Sequence, residues 1–501
     1  MLDAKTIEKA IIDESEKLIE RFNSYHNALH IQWMRQRKLA PGKSAKFVKR
    51  PDYWELDKKF EPFYCKRRAK AIARSVAIKI RNGDYEPRSP HEKLIPKKSG
   101  GDRKLTIYQI PDAAVSKILY QRLLLKNKHR FSAFAYAYRD DRNVHFAIQD
   151  MYIELAKSNR AFIAEYDFSD FFGNIDHTFL LGELEKYGLL VSETDLRIIK
   201  TFIGTGKGIP QGTSISLFLA NVACLSLDNE LERLGVKFAR YADDTVIVSD
   251  SYEAICDAVA ALARFSTRSG VPINNTKSDG IHLITSDIRK AEFRAKPAFE
   301  FLGYEVGTDR LSIKQSSLSK IKKEISYILY AHLIKPLKSK TLAGVAIPTH
   351  SKDPALLSAI MQIRRYVCGG ITKSQFDKYS RGEVGQLKFK GVMSFYPLID
   401  DVDQLKNLDG WLVSTIHRAL KLRAKLLAGH GFTRAASFPF SVARNKLVHA
   451  FSTQNVMGHN LLEIPSFVSM QRSMSKGLRE YGIQYVMNSR SNIYSYDDQF
   501  F

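Results

Sequence analysis

Acidic residues, cysteine and long apolar runs are all scarce in this 501-residue chain. Asp and Glu total 53 against 77 Lys and Arg, a net charge of +24. That surplus excludes an acidic, solvating protein and points to a polyanionic partner whose binding weakens steeply with salt. The four cysteines, Cys65, Cys224, Cys256 and Cys368, are dispersed and show no paired metal-ligand spacing. A disulfide scaffold and a zinc ribbon are thereby excluded, and a reducing cytoplasm fits best. Cys224 lies in an apolar run and reads as core. No apolar span, signal peptide or lipidation site is visible, so no membrane partner is expected. At 44% hydrophobic and 26% charged residues, the composition is that of a globular chain with room for at least two cores.

Two adjacent carboxylates are the most informative feature present. Asp243 and Asp244 stand in KFARYADDTVIVSD, where Phe238, Val246 and Val248 flank what reads as the tip of a β-hairpin. Adjacent crowded carboxylates repel, and a divalent cation relieves the repulsion. A third carboxylate, Asp167, closes the apolar strand predicted over Ala161 to Phe168. It precedes Asp243 by 243 − 167 = 76 positions, enough to place it on a separate neighbouring strand. Three carboxylates at adjacent strand ends suit two metal ions about 3.5–4 Å apart, the arrangement for in-line phosphoryl displacement.

Together with their neighbours, these segments resemble the motifs of the reverse transcriptases, in that family's order, from about Leu94 to Val306. The resemblance implies an α+β right-hand polymerase, with fingers and an antiparallel palm sheet packed with helices, followed by a mainly α-helical C-terminal domain. In DFSDFF it implies that Asp167 and the Phe168 carbonyl are metal ligands, completed by Asp243 and Asp244 of YADD. The cofactor would be two Mg²⁺ ions, with Mn²⁺ able to substitute. Asp170 and Phe171 would offer backbone amides to the incoming triphosphate, and Phe172 would block a ribose 2′-hydroxyl. GIPQGTSISLFLAN places Gln211 and Gly212 under the nascent base pair, and NNTKS places Lys277 near the triphosphate. Arg103 and Lys104, in GGDRKLTIYQIPD, are the implied phosphate clamps. FEFLGYEV resembles the primer grip through Leu302, Gly303 and Tyr304. The chain departs from the family where Ser216 is followed by Leu217 instead of proline, which bears on template handling.

Three parts follow along the chain: a basic helical region over 1–90, fingers and palm over 91–310, and a helical C-terminal part over 311–501. In the first, KKFEPFYCKRRAKAIARSVAIKIR interleaves aromatics with cations, a pattern that suits nucleic acid. In the third, Leu318, Ile321, Ile325 and Ile328 share one predicted helical stripe. Leu408, Leu412, Ile416 and Leu420 share another. Asp400, Asp401 and Asp403 precede that second helix and are expected to cap it. No acidic set spaced as in an RNase H domain follows the palm.

The long helical C-terminal part resembles the defence-associated, abortive-infection and unknown-group enzymes of the family. That implies an RNA template, in some cases a dedicated non-coding RNA, deoxynucleoside triphosphate substrates, a DNA product, a homo-oligomer and a role against phage. It also admits priming from a protein hydroxyl, for which Tyr494 and Tyr496 of the polar tail are candidates. The alternatives are a group II intron maturase and a non-catalytic RNA-binding scaffold. An RNA-dependent RNA polymerase is a minor reading, against which Phe172 argues.

Overall fold

The computed structural model describes residues 2–39, 50–96, 100–157, 160–288, 294–338, 353–431, 437–455 and 458–487. The chain divides into two compact units, one of residues 1–28 and 47–299, the other of 29–46 and 300–500.

The first unit opens with α1 (Ala4–Leu39), which runs beyond it, and α2 (Pro62–Asn82). Pro62 sits where a missing N–H costs nothing, and Gly83 ends α2 with φ 85°. One stripe of α2 (Cys65, Ala69, Ala73, Ala77, Ile80) is buried, and its cations are exposed. A hairpin of β1 (His91–Pro96) and β2 (Asp102–Ile107) follows, then α3 (Ile110–Asn127) and α4 (Val144–Ala156).

A five-stranded sheet forms the centre of this unit. Its strands are β3 (Arg160–Tyr166), β4 (Lys237–Tyr241), β5 (Asp244–Ser249), β6 (Gly280–Thr285) and β7 (Ala295–Lys296), in the order β4-β5-β3-β6-β7. Every pairing is antiparallel except β6 with β7. Between β3 and β4 lie α5 (Phe171–Asn174), α6 (His177–Lys186), α7 (Glu193–Ile203), α8 (Ser214–Ala223) and α9 (Leu225–Arg233). The helix α10 (Tyr252–Ser269) packs on β3 and β5 through Ile255, Ala258, Leu262 and Phe265. The near-continuous apolar run Val246–Val248 is buried because helices cover the sheet there.

The second unit carries a three-stranded antiparallel sheet of β8 (Ala298–Phe301), β9 (Tyr304–Gly307) and β10 (Leu311–Ile313). Helices follow: α11 (Gln315–Leu329), α12 (Pro354–Cys368), α13 (Lys373–Ser380), α14 (Val402–Gly429), α15 (Leu447–Ser452), α16 (Phe467–Tyr481) and α17 (Ile483–Val486). Both expected stripes are buried, on α11 and on α14. Asp401 caps α14 by accepting from the Gln404 amide at 2.9 Å, while Asp400 accepts from the Leu311 amide at 2.6 Å. Asp403 pairs with Lys406 in the first turn. The acidic cluster is thus used up in capping and tethering. Among the described residues, no helix is long and apolar enough to cross a membrane.

Candidate active site

Strand register is what gathers the carboxylates. On β3, Tyr166 pairs with Thr245 of β5, so Asp167, one residue further on, leaves the sheet beside the β4–β5 turn. That turn is two residues long, Ala242-Asp243, and Tyr241 pairs with Asp244 across it. Ala242 has φ 63°, an unusual conformation for a residue with a Cβ. It is held from below: Arg240 Nη1 donates to the Ala242 carbonyl at 3.2 Å. The same guanidinium forks both oxygens of Asp228 on α9 and reaches Asn221 Oδ1 on α8 at 3.4 Å. The strand predicted to run to Phe168 ends at Tyr166. Phe168 instead forms an isolated bridge with Ile273, whose bonds use the Asp167 carbonyl and the Ser169 amide. The Phe168 ring is buried against Phe171 and Phe265.

The three carboxylates feel one another. Burial, with the charge of Asp167 added, raises the pKa of Asp243. Asp244 is pushed up to about 6 by burial first, then by the charges of Asp243 and Asp167. Asp244 nonetheless keeps an exposed edge, so a cation can approach it. Asp167 is buried, and its Oδ2 accepts from Asn274 Nδ2 at 3.0 Å and lies 2.9 Å from Lys277 Nζ. That hydrogen bond, helped by the other two aspartates, raises the pKa of Lys277. A cation therefore already sits on Asp167, supplied by the chain itself. Among the described residues, no three His, Cys, Asp or Glu side chains stand together as a ready-made metal cage.

The other expected residues fall in distinct places. Asp170 adopts φ 46° and precedes α5, whose Phe171 and Phe172 are both buried. The Phe172 carbonyl is fixed by the Ile209 amide at 2.7 Å, which ties α5 to the GIPQG loop. Gln211 accepts from the Thr106 amide at 2.7 Å through its carbonyl. Gly212 has φ 114°, and a Cβ there would lie 2.8 Å from both the Thr106 carbonyl and Leu105 Cδ1. Only glycine lets the loop approach β2 so closely. Ser216, the position of departure, is buried in α8 and donates to the Pro210 carbonyl at 2.7 Å. On β2, Lys104 pairs with Glu92 at 2.6 Å, and the charge of Arg103 is felt at Asp243.

In the second unit, Leu302 and Gly303 form the two-residue β8–β9 turn, with φ 48° and 90°. Tyr304 is fully buried, edge-on to Tyr396, and its hydroxyl donates to the Phe395 carbonyl at 3.3 Å. Tyr494 and Tyr496 lie outside the described residues.

Several residues around the site have no role assigned from the sequence, although some lie inside the motif segments. Arg240, Asp228, Asn274 and Tyr138 are set against it by tertiary contacts. Burial, then the Asp243 charge, pushes the Tyr138 hydroxyl up to about 12. An arginine inside the strand KFARY was the one available hint, since a buried strand arginine requires a partner.

Residues 95–306 match the family described as Reverse transcriptase (RNA-dependent DNA polymerase). This part of the chain is a reverse transcriptase domain with that family's fold. Protein YkfC of Escherichia coli is 23% identical over 226 residues, covering 36% of this chain and 58% of YkfC. The group II intron-encoded protein LtrA of Lactococcus lactis is 25% identical over 185 residues, covering 34% of this chain and 30% of LtrA. The chain thus spans less than two thirds of either relative. Among solved structures, apo telomerase from Candida tropicalis aligns with TM-score 0.41 and 10% identity, covering 93% of this chain and 87% of that one.

Proposed function

We propose that this protein is an RNA-directed DNA polymerase that joins deoxynucleotides by metal-assisted phosphoryl transfer. The observation that carries this reading is the convergence of Asp167 with Asp243 and Asp244 at neighbouring strand ends, with Lys277 Nζ 2.9 Å from Asp167. The donor set fits a hard divalent cation, because it is all oxygen and its repulsion shows in the raised pKa values of Asp243 and Asp244. Mg²⁺, or Mn²⁺ in its place, would be held by the three aspartates and the Phe168 carbonyl, with substrate phosphates completing the shell. When bound, such ions make a primer hydroxyl more acidic and neutralise triphosphate charge.

The chain's own residues divide the remaining work. Lys277, released from Asp167, pairs with a phosphate, and Arg103 with Lys104 clamps the triphosphate from β2. Asp170 and Phe171 present backbone amides, Phe172 closes on the sugar, and Gln211 with Gly212 supports the new base pair. Leu302, Gly303 and Tyr304 grip the primer. The test is primer extension on an RNA template with purified protein. Asp243→Asn must abolish extension at unchanged folding; retained extension in that variant overturns the reading.

We further propose that the protein works in the cytoplasm as a homo-oligomer in defence against phage. It would copy an RNA template, a dedicated non-coding RNA among the candidates, and start on a tyrosine hydroxyl, Tyr494 or Tyr496. Supporting this is the long helical C-terminal unit, in which Asp401 caps α14 and Asp400 tethers the Leu311 amide of β10. Mass spectrometry of nuclease-treated protein would find a nucleotide on tyrosine. Release of all product by denaturant would rule out protein priming. A second reading, an intron maturase, is favoured by the likeness to LtrA. Sequencing the copurifying nucleic acid separates the two: intron RNA supports the maturase, and cDNA of a separate RNA supports defence.

A further inference from the structure

We propose that Tyr138 is a positioning residue of the nucleotide pocket, bracing Phe172 beside Asp243 and so setting the choice between deoxyribose and ribose. This rests on the polymerase reading above.

The backbone gives the first reason. Tyr138 has φ 61°, and only four non-glycine residues among those described have positive φ: Tyr138, Asp170, Ala242 and Leu302. Asp170 adjoins Phe171, Ala242 adjoins Asp243, and Tyr138 touches Phe172, so three of the four surround one site. A bulky residue stays in that region only when its surroundings over-determine it. Here they do. The Arg240 amide donates to the Phe134 carbonyl at 3.0 Å, and the Tyr136 amide donates back to the Arg240 carbonyl at 2.9 Å. Asn221 Nδ2 holds the Ala137 carbonyl at 2.9 Å, and the Tyr120 hydroxyl holds the Tyr138 carbonyl at 3.0 Å. The segment is thus bonded to the strand and helix that also fix the Asp243 turn.

The side chain gives the second reason. The Tyr138 ring meets Phe172 edge-on, centroids 6.4 Å apart at 75°. Phe171 meets Phe172 at 5.7 Å and 84°, so Phe172 is wedged between two rings while its carbonyl is pinned. Tyr138 is only half-buried, and the charges of Asp243 and Arg103 both reach it. A sugar gate discriminates only if it cannot yield, because a ring free to turn would admit a 2′-hydroxyl. The brace removes that freedom.

The test compares dNTP and rNTP incorporation by wild type, Tyr138→Ala, Tyr138→Phe, Phe172→Ala and the Tyr138→Ala/Phe172→Ala double variant, with dNTP binding measured by calorimetry. Tyr138→Ala should raise relative ribonucleotide use at least about tenfold through a lower ribonucleotide KM, and Tyr138→Phe should stay within about twofold. The double variant should add little to Phe172→Ala, because the two residues act as one unit. A plain structural role would lower both incorporations equally and leave the ratio alone. Should Tyr138→Ala fail to fold, Tyr138→Leu keeps the bulk but loses the ring edge, and the same ratio decides. Unchanged selectivity in a variant that still polymerises overturns the role of Tyr138 and leaves the polymerase reading intact. If wild type neither binds nor incorporates deoxynucleotides, both fall.

Discussion

Arg240 is fully buried and forks Asp228, itself buried, at 2.7 and 2.6 Å, while its third arm holds the carbonyl of Ala242 one residue before Asp243. The pair is therefore a foundation for the Ala242-Asp243 turn as well as a packing element. Removing one member strands a charge, which costs about 3–5 kcal/mol, whereas replacing both can be nearly neutral. Arg240→Met should lower the urea midpoint sharply. Arg240→Met with Asp228→Leu should recover much of that stability but not DNA synthesis, since the turn loses its support. Urea unfolding and primer extension on the same preparations check both halves.

Asp243→Asn and Asp244→Asn should each reduce DNA synthesis by about a thousandfold or more, on the scale expected when a charge-stabilising group is lost. Thermal stability should not fall, because each substitution relieves like-charge repulsion. A drop in melting temperature alongside lost activity would mean that the aspartates serve the fold instead.

The pH dependence has a definite sign. Asp244 titrates at about 6 in the folded chain against 3.8 as an ordinary aspartate, and Asp243 is raised too. Stability contributed by the protonated form of Asp244 is complete below about pH 4 and lost as pH rises through about 6, and Asp243 acts in the same direction. Cation binding needs the ionised forms, so the thermal shift produced by Mg²⁺ should be small at pH 5 and grow across about pH 5–7. Differential scanning fluorimetry at several pH values, with and without Mg²⁺, reads this directly.

Lys277 is about half exposed, with 58% of its side chain accessible, so its pair with Asp167 contributes about 1 kcal/mol at most. Lys277→Ala should leave the melting temperature nearly unchanged and raise the KM for deoxynucleotides about tenfold, as loss of one phosphate contact would. An effect confined to stability would remove Lys277 from the nucleotide site.

Gly212→Ala should cost activity and stability together. Its Cβ would press the Thr106 carbonyl and Leu105 at 2.8 Å from a backbone at φ 114°. The Leu105 side chain can shift, but the Thr106 contact is with backbone, which cannot swing aside, so a loss of about 2 kcal/mol or more is expected. The loop has little room to retreat, because Ser216 holds the Pro210 carbonyl at 2.7 Å. Urea unfolding and primer extension on the variant check the two losses together.

Much of the fold was legible in the sequence because its signals are local. Apolar periodicity over Leu318–Ile328 and Leu408–Leu420 gave two buried helical stripes, and Asp401 announced a helix start. The YADD hairpin was legible for the same reason, since its flanks are β-formers around a two-residue turn. The end of β3 was not: Phe168 looks like a continuing strand, but its ring finds Phe171 and Phe265 and the backbone bends to pair with Ile273.

By itself the sequence determined which chemistries the chain can offer: three aspartates, a lysine in NNTKS, a glycine at position 212, and an excess of positive charge. Only the tertiary structure decided that Lys277 rests on Asp167, that Arg240 supports Ala242, and that Tyr138 stands against Phe172. The division has a physical cause. Periodicity and turn preference act over a few residues, whereas Lys277 and Asp167 stand 277 − 167 = 110 positions apart and Phe172 and Tyr138 stand 172 − 138 = 34 apart. Arg240 reaches its carbonyl only because Asp228, on another element, holds the guanidinium in place. Such contacts exist only once the sheet has chosen its register.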